Sequence, residues 1–336
     1  MTLTLFDIAS YLPENRVPAE YFAQFQGDDA LAGNRMFSAP KYRHHAGKDE
    51  TNTDMMCSAI AELTARHGDS ILDGVDLVIS HSQLPDVAVV GCGGDVARRL
   101  GLDPALAIDL HNGGCAAFML MLEITRGLFA AGSASKALLL NGVNTGVNIF
   151  TQDRVRSLSQ ASIPGDGASA ALITTDGPTE ILEVVCRQHS EYAGDMTAAI
   201  EPHRRYWEPG EGQMSVGFTE SKISKVLARG NRLVPEMALE AAARRGLRGP
   251  EIDWLITNQP NRIFLRNWRE ALELPAEQHA DTFDECGNLF SVGVPHNLDV
   301  AITDGRIKAG QTVMLSAFAH AGDFAAAALL RFGGRP

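Results

Sequence analysis

The chain has 336 residues, enough for roughly two domains of ~150 residues or one core built from two halves. Hydrophobic residues make up 45% and charged residues 21%, which excludes a disordered chain, a collagen and a disulfide scaffold. With 29 Lys and Arg against 41 Asp and Glu, the formal charge is -12, the wrong sign for a general nucleic-acid binder.

The opening segment Met1-Thr2-Leu3-Thr4-Leu5-Phe6-Asp7 has no basic stretch before a long apolar one, so no signal peptide is expected. No apolar run reaches the ~20 residues of a membrane span. In chain order, the pattern predicts a helix over 53–66, a strand over 75–80, a helix over 94–100 and a strand over 105–109. A helix over 116–131 and strands over 136–140 and 170–174 follow. The second half gives a helix over 233–245, a strand over 254–257, helices over 264–272 and 296–304, and a strand over 312–317. Strands alternating with helices argue for an α/β protein with a buried sheet.

A weak repeat runs through this pattern. Asp76-Leu77-Val78-Ile79-Ser80 resembles Asp253-Trp254-Leu255-Ile256-Thr257, at an offset close to half the chain. Leu139-Leu140-Asn141-Gly142 likewise resembles Met314-Leu315-Ser316-Ala317. Two similar α/β halves are expected, residues 1–174 and 175–336, with a site at their seam.

Five scattered cysteines, Cys57, Cys92, Cys115, Cys186 and Cys286, form no CxxC pair. Free thiols in a reducing cytoplasm are the simplest expectation, and no His/Cys cluster suggests a metal. Cys115 stands apart. It follows a short strand and Gly113-Gly114, and it precedes Ala116-Ala117-Phe118 at the start of a long apolar helix. Glycines allow a tight turn. Backbone N–H groups and the helix dipole would then lower the thiol pKa and hold a thioester oxyanion. A buried, inert thiol is the alternative.

Gly113-Gly114-Cys115-Ala116-Ala117-Phe118, Gly165-Asp166-Gly167-Ala168, Asn258-Gln259-Pro260-Asn261, Gly287-Asn288 and the stretch 304–311 occur together, in order. This set resembles the thiolase-fold condensing enzymes, in their β-ketoacyl-acyl-carrier-protein synthase III branch. The resemblance implies a five-layered αβαβα fold of two βαβαβαββ halves, a homodimer, Cys115 as nucleophile, and no cofactor beyond a phosphopantetheine thioester donor. It also implies a decarboxylating set of Cys, His and Asn. Here Asn258 stands at the His position, while Asn288 keeps the Asn.

Histidines appear elsewhere instead. His296 follows Val294-Pro295, and His320 and Asp323 lie where the family has a glycine-rich turn. A His near Cys115 would activate the thiol and then deprotonate an acceptor hydroxyl, with a carboxylate fixing its tautomer. His296 is the expected base. Asp323 is its expected partner, and Asp299 one turn on is the rival. His320, Asn258 and Asn288 are expected as polar pocket groups. The N–H groups of Cys115 and Gly322 are expected to form the oxyanion hole. The bland alternatives are a helix-start histidine at 296, a tight turn at 320, a helix cap at Asp323 and a structural Asp166. This pattern is similar to that of the ester-forming acyltransferases of polyketide tailoring. They pass an acyl group to a hydroxyl or amine on an acceptor such as a sugar or polyketide.

The stretch 30–43 lacks the Trp that the family's coenzyme A users place there, which favours an acyl carrier protein as donor. Arg262, Arg266 and Arg269 on a predicted helix form either a docking patch for that acidic partner or a solvated face. A starter-unit condensing enzyme is the alternative activity. A non-catalytic partner subunit is a third, opposed by the retained Cys115. Segments around 84–91 and 150–157, and a second subunit, are expected to shape the pocket.

Overall fold

A computed structural model describes every residue except 1, 26, 28–30, 32, 197, 202–203, 206–207 and 217–219. Ala30 and Ala32 of the donor-recognition stretch lie outside the described residues. The strands of the main sheet are β1 (Thr4–Tyr11), β2 (Leu77–Ser82), β3 (Leu106–Leu110), β4 (Ala137–Val143), β5 (Gly167–Thr174), β6 (Thr179–Gln188), β7 (Trp254–Thr257), β8 (His279–Ala280), β9 (Thr312–Ala319) and β10 (Phe324–Arg331). The helices that matter for the site are α1 (Asn52–His67), α2 (Gly93–Arg99), α3 (Ala117–Ala130), α4 (Glu220–Ala243), α5 (Arg262–Ala271) and α6 (Gly293–Thr303).

The strand order is β8-β7-β9-β10-β6-β1-β5-β4-β2-β3. Reading outward from the centre, β1-β5-β4-β2-β3 and β6-β10-β9-β7-β8 are the same succession. The directions repeat too. β2 runs parallel to β3 and β4, as β7 does to β8 and β9. β5 and β10 run antiparallel to their neighbours on both sides. The halves meet where Thr4 and Leu5 of β1 pair with Glu180 and Thr179 of β6.

The repeat also has a chemical counterpart. The Asp76 carboxylate accepts the N–H groups of Ser135 and Lys136, fixing the start of β4. The Asp253 carboxylate accepts the N–H and hydroxyl of Thr312, fixing the start of β9. Each aspartate stands just before the central parallel strand of its half. Each satisfies donors that the sheet ladder leaves open.

Three apolar cores lie between the layers. α1 packs on β1 and β5, and α4 packs on β9 and β10. Between them, α3 touches β4, β6 and β10, while α6 touches β1, β5 and β7. These two helices therefore sit between the two halves of the sheet, in a core of residues such as Leu77, Phe118, Met121, Leu298 and Leu315. This is the layered α/β architecture expected. Strands β2, β4 and β5 are buried along their whole length, which gives continuous apolar runs rather than alternation.

The predicted elements exist, with shifted ends. The helix expected over 233–245 begins thirteen residues earlier, at Glu220. Strands β1, β6, β8 and β10 were not among the predicted elements. β10 reads Phe-Ala-Ala-Ala-Ala-Leu-Leu-Arg, a composition that favours helix by propensity. Its pairing with β9 and β6 over its full length overrides that preference.

Candidate active site

β3 ends at Leu110, and the chain then turns through His111, Asn112, Gly113 and Gly114 into Cys115. Gly113 has φ 103° and Gly114 φ 44°, conformations that cost side-chain-bearing residues energy. Space is equally tight. A Cβ on Gly113 would lie 3.0 Å from the Ala117 Cα, and one on Gly114 would lie 3.1 Å from both the Ala319 Cβ and the His320 Nε2. The two glycines thus let the cysteine turn press against the end of β9. Cys115 occupies a single 3-10 turn before α3, and its side chain is half-buried.

The thiol is not activated by its position alone. Burial pushes it up to about 12, while the Asn258 amide and the N–H of Cys115 itself act in the opposite direction. The expectation of a lowered pKa is therefore corrected. Desolvation disfavours the thiolate by more than the helix start and nearby donors favour it. Burial thus favours the neutral thiol over the thiolate.

His320 follows β9 in a left-handed turn, φ 49°. Its Nδ1 lies 3.0 and 3.2 Å from the two oxygens of Asp323. Donation from Nδ1 to the carboxylate leaves Nε2 as the basic nitrogen. That nitrogen lies against Gly114, the residue before the cysteine. His320 and Cys115 line one cavity together with Asn258 and Asn288. Asp323 caps no helix, because Phe324 begins β10.

His296 lies elsewhere. It is buried in α6, and its Nδ1 sits 2.9 Å from the Ser10 hydroxyl on β1. That hydroxyl in turn donates to Asp299 at 2.8 Å. Burial holds His296 down at about 4, against the pull of Asp299. It does not line the cavity. The expected pairing of His296 with Asp323 is corrected on two counts. Asp323 belongs to His320, and His296 is tied through Ser10 to Asp299 as a neutral link between α6 and β1. Asp299 and Asp7 continue this network through Arg66 and Arg335.

The oxyanion assignment also changes. The Gly322 N–H donates to the Ala319 carbonyl at 2.9 Å, so it is not free for a substrate. The Asn258 amide is fully buried beside the Cys115 thiol, and among the described residues neither of its polar atoms has a partner at hydrogen-bond distance. Asn288 accepts the Phe290 N–H through Oδ1 at 3.0 Å, which leaves its NH2 group for the cavity.

Asp166 is structural, as its bland alternative held. It is fully buried and accepts the N–H groups of Ala46, Gly146 and Val147 at 3.0, 2.7 and 2.9 Å. Burial still pushes its carboxyl up to about 7. It fixes the start of a segment whose Thr145, Ile149 and Phe150 line the cavity.

The three arginines of α5 differ in what they offer. Arg262 is exposed but already bonds Asp284 and the Ala39 carbonyl. Arg266 is exposed, 3.9 Å from Glu270. Arg269 is half-buried against His279 and helps push that imidazole's pKa down, after burial itself. They do not form one uniform patch.

The sequence reading assigned no role to His111, His81 or Gln83. His111 and Gln83 line the cavity. His81 ends up buried in β2, and neither ring nitrogen has a hydrogen-bond partner among the described residues. Burial, then the charges of His111 and His320, push it down to about 3. His111 was visible in the cysteine motif, four residues before Cys115. His81 had only a strand position to mark it.

Comparison with known proteins agrees with this fold. The family model for 3-oxoacyl-acyl-carrier-protein synthase III matches residues 108–190, and its C-terminal companion matches 242–332. The chain is 30% identical over 302 residues to the beta-ketoacyl-acyl-carrier-protein synthase III of Xanthomonas oryzae pv. oryzae, with 86% of each chain covered. It is 29% identical over 295 residues to that of Methylococcus capsulatus, covering 86% of this chain and 87% of the relative. The synthase III structure from Thermus thermophilus superposes with a TM-score of 0.84 at 26% identity, over 98% of this chain and 99% of the other. OleA of Xanthomonas campestris, at 16% identity and a TM-score of 0.80, shares the fold over 98% of each chain.

The fold is that of the thiolase-like condensing enzymes. The chain belongs to the 3-oxoacyl-acyl-carrier-protein synthase III family of enzymes. The names of the relatives support the condensing alternative better than ester formation.

The raised thiol pKa has a direct consequence. A thiol pushed up to about 12 is almost wholly protonated at pH 7, and its nucleophilic fraction rises with every unit of pH. In a His320→Ala variant, iodoacetamide should label Cys115 at a rate that climbs through pH 10. A plateau below pH 8, followed by peptide mass spectrometry, would contradict the desolvated thiol.

Proposed function

We propose that the protein accepts an acyl group from a phosphopantetheine thioester onto Cys115 and passes it to a hydroxyl or amine of a second substrate. The observation that carries this reading is the His320–Asp323 pair lying against Gly114 and lining the same cavity as a thiol that burial pushes up.

In the first half-reaction, His320 Nε2 takes the Cys115 proton as sulfur attacks the thioester carbonyl. The negative oxygen faces the Cys115 N–H and the Asn258 amide, whose open donor gains a partner only then. The pantetheine thiol leaves with the proton from His320. In the second half-reaction, His320 removes the acceptor's proton, the acceptor oxygen or nitrogen attacks, and Cys115 leaves as a thiol. Asp323 keeps the ring in one tautomer and stabilises its cationic form.

Starter-unit condensation is the second reading, favoured by the relatives' names. It requires an enolate, formed by decarboxylation or by removal of an α-proton. Asn258 offers that enolate a neutral donor but no acid or base. That difference is why oxygen or nitrogen transfer is placed first.

An acyl carrier protein is the proposed donor, drawn to Arg266 and neighbouring cations on the outer face of α5. A second copy of the chain is proposed to cover β3. This is an unpaired sheet edge beside the exposed Val87, Val89 and Val90, a combination that invites self-association. Sedimentation at twice the chain mass is expected, and a strict monomer would contradict it.

The activity is tested by loading the enzyme with an acyl thioester and dividing it. One portion meets malonyl carrier protein and the other a panel of alcohols and amines. Ester or amide is expected in the second, with no loading of a Cys115→Ala variant. A β-ketoacyl product with carbon dioxide release, and no transfer to oxygen or nitrogen, would establish condensation instead.

A further inference from the structure

The cavity holding Cys115 is about 310 Å3. At ~30 Å3 for a water-sized group, that is room for roughly ten non-hydrogen atoms. Its polar lining, which includes Cys115, Asn258, Asn288, His320, His111 and Gln83, is accompanied by two apolar walls. One wall, from the core under α4 and α5, includes Met36, Val226, Phe264 and Phe318. The other, from a separate small cluster, includes Leu84, Ile149, Phe150, Met214 and Phe290.

Among the described lining residues there is no Asp, Glu, Lys or Arg. An ionised carboxylate carried into this space would lose its water and meet no cationic Lys or Arg, which disfavours it strongly. A malonyl or succinyl group is therefore a poor match for Cys115. An uncharged acyl group of moderate size is a good one.

Phe290 distinguishes itself on the second wall. It has φ 47°, a left-handed conformation that is uncommon for a bulky side chain. The bond from its N–H to the Asn288 side chain holds the turn in place. The ring packs with Ile149 and Phe150 on one side and with Leu289 and Val292 on the other. Backbone strain kept at a pocket wall points to a function for the side chain it presents. The first wall lies beneath α5, where the carrier protein is proposed to dock. The acyl group then lies along the second.

We infer that the wall formed by Leu84, Ile149, Phe150, Met214 and Phe290 receives an uncharged acyl group of about six to ten non-hydrogen atoms, and that Phe290 limits its length. The inference rests on Cys115 carrying the acyl group, as proposed above. Phe290 is a specificity-determining residue rather than a catalytic one.

The test is intact-mass measurement of Cys115 acylation with N-acetylcysteamine thioesters from acetyl to palmitoyl, together with malonyl. The wild-type chain should load medium acyl groups about tenfold faster than malonyl. A Phe290→Gly exchange suits the left-handed backbone, so the melting temperature should hold while the preferred acyl group lengthens by two or more carbons. Phe290→Trp should shorten it, which keeps the test informative if the glycine variant does not fold. Unchanged length preference in a folded variant, or fastest loading by malonyl, would overturn the inference. No label on Cys115 from any thioester would overturn the acyl-enzyme itself, a result distinct from an unaltered length profile.

Discussion

The site depends on one close approach. Gly114 has no side chain, and the space where a Cβ would stand is bounded at 3.1 Å by both the end of β9 and the His320 ring. Because the backbone at Gly113 and Gly114 is left-handed, the chain can leave β3, turn, and still press Cys115 against a strand of the other half. Cys115 then comes from one repeat and the His320 imidazole from the other. Any side chain at 114 would separate them or displace the ring.

Burial sets the chemistry that follows. It raises the Cys115 thiol and the Asp166 carboxyl, and it lowers His81 and His296. All four shifts favour the neutral form, so the interior around the site is poor in charge. The His320–Asp323 pair sits at the margin, part-exposed, and its carboxylate fixes the ring. The proposed reaction uses this ring as its base. In the proposed reaction the Asn258 amide, which has no partner at hydrogen-bond distance among the described residues, would serve the developing oxyanion.

Much of the architecture was legible in the sequence. The match of Asp76 with Asp253 reflected a shared task, closing the start of the next parallel strand in each half. The Gly-Gly-Cys turn was legible because only glycine fits both its dihedrals and its neighbours. The base was not. His296 and His320 are both polar residues in apolar surroundings, and spacing alone does not show which way α6 turns its face. In the fold that face meets β1, and Ser10 claims the ring. The thiol pKa was misjudged for a related reason. The helix start is a local feature that sequence reveals, whereas desolvation comes from layers far apart in the chain. The strands buried along their whole length, β2, β4 and β5, were legible as apolar runs, whereas β10 was not, because its alanines and leucines favour helix by propensity.

The central claim is that His320, not His296, handles the proton. The most direct measurement is a single-turnover discharge of acyl-Cys115 to an acceptor, after prolonged loading, in His320→Ala and His296→Ala variants. Loss of a positioned base should slow discharge by roughly 100-fold or more in the first, with the second within a few-fold of wild type. Wild-type discharge by His320→Ala, with failure of a folded His296→Ala, would contradict the account.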